Sequence, residues 1–220
     1  MAIGKPLPRL LLGYLLVMAA CFLAIRLGAA VPALASYQSF MVALVFLYSP
    51  LWLLRWTGPL ALTPPSRQAR IRSVGLALLL ALVVFPPFSA ATLGLAGVSP
   101  MDLGPLPEPS WLLWELASQF LLVAFPEEFF YRGFLQQHLK RLLPNGPSFL
   151  GITCWPALAL TSLLFALGHL LAFPSPERLL VFFPSLLFGW LRERGQSLGG
   201  PALFHTLCNV LQSTLGRMMP

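Results

Sequence analysis

The chain has 220 residues, of which 57% are hydrophobic and only 10% are charged. An ordinary soluble domain carries about 25% charged residues, so this composition excludes a typical soluble protein, and several apolar runs reach the roughly 20 residues that span a bilayer. The net charge of +7 comes from basic residues in short loops, which favours a positive-inside membrane topology over nucleic-acid binding.

The apolar runs predict about seven transmembrane helices, with six to eight as the range. Pro86 and Pro87 are expected to kink the third helix, and the prolines and glycine of 144–147 end the fourth. We therefore expect an all-α, polytopic integral membrane bundle that forms a single domain over 1–220. The predicted helices cover about 10–31, 37–54, 73–98, 111–143, 148–173, 178–192 and 201–215.

The distribution of basic residues orients these helices. The basic N-terminus and the basic loops at 55–72, 140–141 and 192–194 fall on one side of the predicted bundle. Loops rich in Lys and Arg stay in the cytoplasm, so this side is predicted to be cytoplasmic, and the acidic loop at 99–110 lies on the other side. We expect a multi-pass protein of the cytoplasmic membrane.

The stretch PEEFFYRGF, residues 126–134, places ionisable groups near the middle of the fourth predicted helix. This helix would extend about 50 Å, so Glu127 and Glu128 are expected close to hydrocarbon depth. A carboxylate there costs at least about 2.5–3.5 kcal/mol and marks a functional site by default. Glu128 and Arg132 are spaced i,i+4, so Arg132 can neutralise Glu128 and leave Glu127 for acid/base chemistry. The alternative is a buried ion cluster of all three residues that locks helix packing.

Two further polar groups lie on later apolar helices. His169 ends FALGH in the fifth helix, and a lone histidine there is more often a hydrogen-bonded core residue than a catalyst. His205 and Asn209 are spaced i,i+4 in HTLCN of the last helix. They can bond neighbouring helices or stabilise a reacting oxygen as an oxyanion hole.

Convergence of these groups would provide the chemistry of peptide-bond hydrolysis inside the membrane. A carboxylate and an imidazole can activate water, and a His/Asn pair can stabilise a tetrahedral oxyanion. Counting along the helices, however, puts His169 near the outer end of its helix and His205 nearer the cytoplasmic end. Convergence therefore requires a longer fifth helix, a break near Pro126 or a helix tilt.

The ordered motifs resemble those of the CAAX-protease and bacteriocin-processing family, also called the ABI family, over about 111–216. The resemblance implies a glutamate-dependent intramembrane endopeptidase. Under it, Glu127 would be the general base that activates water, and His169 would hold and polarise that water. His205 and Asn209 would form the oxyanion hole. The motifs are Glu127-Glu128-x-x-x-Arg132, Phe165-x-x-x-His169 and His205-x-x-x-Asn209.

The resemblance also implies a supporting role for Glu128 and Arg132, with Glu128 able to share the proton transfer. No cofactor is expected, since the chain has no H-E-x-x-H element that would indicate zinc. A zinc site built from Glu127, His169 and His205 remains an alternative, because carboxylate and imidazole are ordinary zinc ligands.

The expected substrate is a protein or peptide with a lipidated or transmembrane C-terminal segment, and membrane lipid is the other expected partner. CAAX prenyl endopeptidases, myxosortase-type enzymes and bacteriocin immunity and maturation proteins all occur in the family. Two non-proteolytic alternatives stay open. One is a proton-relay transporter, which would distribute polar groups along a pathway. The other is an immunity-type protein in which the same residues join helices.

Overall fold

The computed structural model describes residues 6–57, 65–172 and 174–220, and regular structure in these residues is helical apart from one isolated bridge between Phe149 and Ile152. The predicted all-α class is confirmed. The basic N-terminus, the 55–72 loop and the predicted end of the fifth helix at 173 fall partly outside the described residues. The helices are α1 (Pro6–Ala30), α2 (Pro32–Ala35), α3 (Gln38–Thr57), α4 (Arg67–Ala96), α5 (Pro109–Ser118), α6 (Phe125–Glu128), α7 (Gln136–Leu142), α8 (Trp155–Ala172), α9 (Phe182–Gly195) and α10 (Gly199–Met218).

The helices α5, α6 and α7 form one continuous helix, because two π-helical segments join them, Gln119–Ala124 and Phe129–Leu135. We call this element the joined helix. Pro126 lies just after the first π-helical segment and has no backbone N–H, so the helix loses one hydrogen bond there. Single π-helical turns are rare and often occur at functional sites. Here they flank both glutamates.

Four of the described helices are long and apolar enough to cross a membrane, so the chain is an integral membrane protein. The total of about seven spans, the orientation and the identity of the membrane stay predictions. The four candidate spans are Leu7–Ala30, Gln38–Arg55, Arg67–Ala96 and Trp155–Ala172.

Two predicted helix starts are wrong. The third predicted helix starts at about 73, whereas α4 begins at Arg67. The fifth starts at about 148, whereas α8 begins at Trp155. Leu150 and Gly151 adopt left-handed backbone angles, with φ of 49° and 75°, which interrupt a right-handed helix. The resulting turn is closed by backbone hydrogen bonds between Phe149 and Ile152, at 3.0 and 3.1 Å.

The helices pack around the joined helix. The hairpin of α1 and α3 covers one flank of it, while α10 packs against α4, α9 and the first half of the joined helix. The buried core extends through the middle of the joined helix, where Phe130, Tyr131, Phe134 and Leu135 are almost completely enclosed. The glutamates therefore lie in the interior of the bundle. This placement is expected, because a carboxylate that faces the lipid hydrocarbon costs free energy.

The turn between α9 and α10 is recessed into the bundle. The backbone N–H of Gly200 donates to Ser73 Oγ at 3.0 Å, and a Cβ at Gly200 would lie only 2.3 Å from that oxygen. Leu198 packs beside Gly133, in the interior part of the joined helix, which continues to Leu142. Farther along α10, His205 Nδ1 lies 2.9 Å from Glu128 Oε1. His205 therefore lies at the level of the glutamates, although counting along the helices had placed it nearer the cytoplasmic end.

Candidate active site

Glu128 and Arg132 form a completely buried ion pair, as their spacing indicated. Arg132 Nη1 donates to Glu128 Oε1 at 3.0 Å. Arg132 Nη2 donates to the backbone oxygen of Ser185 at 3.0 Å and to its Oγ at 2.6 Å. The guanidinium carbon lies 4.7 Å and 5.1 Å from the ring centroids of Phe165 and Phe188, at cation–π distance. The charge of Arg132 is therefore fixed by three helices, and the sequence motifs did not identify Ser185 as a partner.

His205 lies between the two glutamates. Its Nδ1 is 2.9 Å from Glu128 Oε1, and its Nε2 is 3.9 Å from Glu127 Oε2. A carboxylate held by Arg132 accepts hydrogen bonds, so Nδ1 of His205 carries a hydrogen and donates it. The imidazole stacks on Phe188, with ring centroids 4.6 Å apart. Glu128 thus binds both Arg132 and His205, whereas the sequence had assigned it to Arg132 alone.

Glu127 faces a cavity. Its Oε2 is buried and has no hydrogen-bond partner among the described residues, and its side chain is 12% exposed. The cavity has a volume of about 160 Å³, comparable to an apolar cavity of about 150 Å³ that holds benzene. Its lining is mostly apolar and includes Met18 of α1, Val42 and Phe46 of α3, and His169 of α8.

His169 presents one nitrogen to its own helix. Nδ1 lies 3.0 Å from the backbone oxygen of Phe165, and a carbonyl only accepts, so Nδ1–H donates and Nε2 is left as an acceptor. The neighbouring Gly168 allows a close approach of helices, since a Cβ there would lie 2.7 Å from the hydroxyl oxygen of Tyr131 and 2.9 Å from Met18 Sδ. The glycine of FALGH therefore seats α8 against α1 and the joined helix, beside the cavity.

Asn209 is held by residues that the motifs did not reveal. Its Nδ2 donates to Gln119 Oε1 at 2.9 Å, and Gln119 Nε2 donates to Glu115 Oε1 at 3.2 Å. The i,i+4 spacing of Glu115 and Gln119 on a helix was the signal available in the sequence. The chain thus carries a second polar cluster beside the one formed by Glu128 and Arg132.

The structure brings Glu127, Glu128, His169 and His205 into one region, with Asn209 one helical turn beyond His205. Within the described part of the chain, no group of three His, Cys, Asp or Glu side chains is arranged to hold a metal ion. Both the expectation that the reaction needs no cofactor and the alternative zinc site of Glu127, His169 and His205 stay predictions.

Comparison with known proteins identifies the part of the chain that holds these residues. A family model described as Type II CAAX prenyl endopeptidase Rce1-like matches residues 109–211. The family consists of CAAX-type intramembrane proteases that act on protein substrates. Searches of curated proteins and of solved structures give no match. The matched segment begins with α5, extends into α10 and contains all three motifs, so the match supports membership of this part of the chain in the CAAX-protease family.

Proposed function

We propose that the protein is an intramembrane endopeptidase that hydrolyses a peptide bond near the membrane-associated C-terminus of a protein substrate. The observation that carries this proposal is the cavity lined by both Glu127 and His169, a carboxylate and an imidazole on two different helices. Such a pair can bind and activate a water molecule. The proposal places the attacking water in this cavity.

Two acceptors orient this water. The carboxylate of Glu127 accepts one of its hydrogens, and Nε2 of His169 accepts the other, because Nδ1–H of His169 is already bonded to Phe165. The lone pair of the water oxygen then points away from both residues and toward the substrate carbonyl. Glu127 takes the proton as general base while the new C–O bond forms. It returns that proton to the amine nitrogen as the C–N bond breaks.

His205 and Asn209 stabilise the oxyanion of the tetrahedral intermediate. Since Nδ1–H of His205 is bonded to Glu128, Nε2 donates only when the ring is the imidazolium cation. Asn209 carries two N–H groups on Nδ2, of which one is bonded to Gln119, and the second donates to the oxyanion. Removal of one such donor typically lowers kcat about 10²–10³-fold.

Glu128 and Arg132 have a supporting role in this mechanism. Arg132 holds the carboxylate of Glu128, and that carboxylate holds the imidazole of His205 at 2.9 Å. The apolar cavity accepts an uncharged group of the substrate near the scissile bond. We therefore propose a substrate with a lipidated or transmembrane C-terminal segment, and a reaction that requires no metal ion.

Hydrolysis of a defined peptide tests the proposal. The purified protein in liposomes is mixed with a fluorogenic peptide that ends in a prenylated CAAX sequence, and with the same peptide lacking the prenyl group. We expect Glu127→Gln to lower kcat/KM by about 10²–10⁴-fold, the usual contribution of general-base catalysis. Glu108→Gln is the matched control, because Glu108 is exposed at the start of the same joined helix.

If the Glu127→Gln variant cleaves the peptide as well as the parent protein does, the assignment of Glu127 as the general base is wrong. No cleavage of either peptide by the parent would favour the non-proteolytic alternatives, an immunity-type protein or a proton relay. Natural substrates are sought with the Glu127→Gln variant as a trap for membrane-associated proteins, followed by mapping of the C-termini of the captured proteins.

A further inference from the structure

The polar cluster of Glu115, Gln119 and Asn209 connects the start of the joined helix to α10. Asn209 Nδ2 donates to Gln119 Oε1 at 2.9 Å, and Gln119 Nε2 donates to Glu115 Oε1 at 3.2 Å. All three side chains are partly buried. Gln119 is also the first residue of the π-helical segment that precedes the glutamates.

Glu115, at one end of the cluster, fixes the direction of these hydrogen bonds. An ionised carboxylate only accepts hydrogen bonds, so Glu115 requires the NH₂ group of Gln119 to face it. The carbonyl oxygen of Gln119 must then face Asn209. That oxygen also only accepts, so the NH₂ group of Asn209 must point toward Gln119. Without this sequence of bonds, the side-chain amide of Asn209 can exchange its oxygen and nitrogen by a half rotation.

The orientation of this amide decides whether Asn209 helps or hinders the reaction. With Nδ2 fixed by Gln119, the second N–H is held at a defined angle and can donate to an oxyanion. In the opposite orientation, the carbonyl oxygen of Asn209 would repel the same oxyanion. We infer that Gln119 is a positioning residue that sets the orientation of the Asn209 amide, and that Glu115 fixes Gln119 in turn. The inference rests on the proposed function, in which Asn209 is an oxyanion donor.

Exchange of the two side chains provides the sharpest test. In Gln119→Glu, two carboxylates face each other at the position of the 3.2 Å contact, and the cluster loses its order. In the double variant Glu115→Gln/Gln119→Glu, the amide at 115 donates to the carboxylate at 119, whose other oxygen accepts from Asn209. The double variant therefore restores the direction of every bond, although each single change disturbs it.

Steady-state kinetics on the prenylated CAAX peptide measures the effect. We expect Gln119→Leu and Gln119→Glu to lower kcat by about 10- to 100-fold with KM unchanged, as for a misplaced catalytic group. The double variant should recover most of the lost kcat. Ser118→Ala is the control, because Ser118 is adjacent and its hydroxyl donates to the backbone oxygen of Glu115 rather than to a side chain of the cluster.

The outcomes separate this inference from the proposed function. If Asn209→Ala keeps the parent kcat, or the parent does not cleave the peptide, the proposed oxyanion role fails and the inference fails with it. If Asn209→Ala lowers kcat while Gln119→Leu does not, the oxyanion role stands and the positioning role is refuted. Should Gln119→Leu fail to fold, the comparison of Gln119→Glu with the double variant decides, and absence of recovery overturns the inference.

Discussion

The same chemical change at Glu127 and at Glu128 should affect stability very differently. Glu128 Oε1 accepts hydrogen bonds from Arg132 Nη1 at 3.0 Å and from His205 Nδ1 at 2.9 Å. In Glu128→Gln the amide oxygen can keep both bonds, but it leaves the charge of the completely buried Arg132 without its counter-ion. Removal of one partner of a buried ion pair costs about 3–5 kcal/mol. We expect that loss in the free energy of unfolding.

Glu127→Gln should be nearly neutral. Within the described structure, Glu127 Oε2 has no hydrogen-bond partner, and the basic atom paired with it, His205 Nε2, lies 3.9 Å away. Replacement of this oxygen by an amide group therefore breaks no hydrogen bond among the described residues, and the charge contact that it weakens is the long one to His205. We expect a free energy of unfolding within about 1 kcal/mol of the parent, the value of one hydrogen bond.

Equilibrium unfolding in mixed micelles with increasing dodecyl sulfate, followed by circular dichroism, measures both free energies. Glu108→Gln again serves as the control. The double variant Glu128→Gln/Arg132→Met removes both charges and should recover most of the loss, since an apolar replacement of a buried pair is often neutral or stabilising. Equal losses in Glu127→Gln and Glu128→Gln would refute the division of roles between the glutamates, as would a parent-like free energy in Glu128→Gln.

Two further changes test the surroundings of the site. Gly168→Ala places a methyl group 2.7 Å from the hydroxyl oxygen of Tyr131 and 2.9 Å from Met18 Sδ. We expect it to lower the free energy of unfolding by about 1–3 kcal/mol and to reduce kcat by displacing His169. The double variant Gly168→Ala/Met18→Ala should recover part of the lost free energy of unfolding and part of the lost kcat, measured in the same assays. Treatment with a strong chelator should leave kcat/KM unchanged, with no stoichiometric metal found by elemental analysis, whereas inactivation that zinc reverses would contradict the metal-free mechanism.

Local rules predicted the parts of this fold that depend on neighbouring residues. The length of the apolar runs gave the positions of α1 and α3 within a few residues, and the i,i+4 rule identified the pair of Glu128 and Arg132. The start of α8 was missed because it depends on a left-handed backbone at Leu150, with φ of 49°. A leucine rarely adopts that conformation, so the sequence contains no signal for it.

Long-range contacts were the other limit. Glu128 and His205 are 77 positions apart, and their contact depends on how deep the turn between α9 and α10 lies. Counting residues from the loops assumes that every turn lies at the membrane surface. Here the backbone N–H of Gly200 donates to Ser73 Oγ, a contact between α10 and α4 that no local pattern reveals. Gln119 was missed for a related reason, because its partner Asn209 is distant in the sequence.

The chemistry and the wall of the cavity come from different parts of the chain. Glu127 and His169 belong to the segment that matches the protease family, whereas Met18 and Phe46 lie on α1 and α3, before residue 109. Phe46 also packs on Phe130, with ring centroids 5.4 Å apart. Without the hairpin, this flank of the joined helix would face lipid, and the carboxylate of Glu127 would lose the enclosure that separates it from hydrocarbon. The matched segment thus carries the groups to which we assign the reaction, and α1 and α3 supply part of the wall of the cavity in which the proposal places the attacking water.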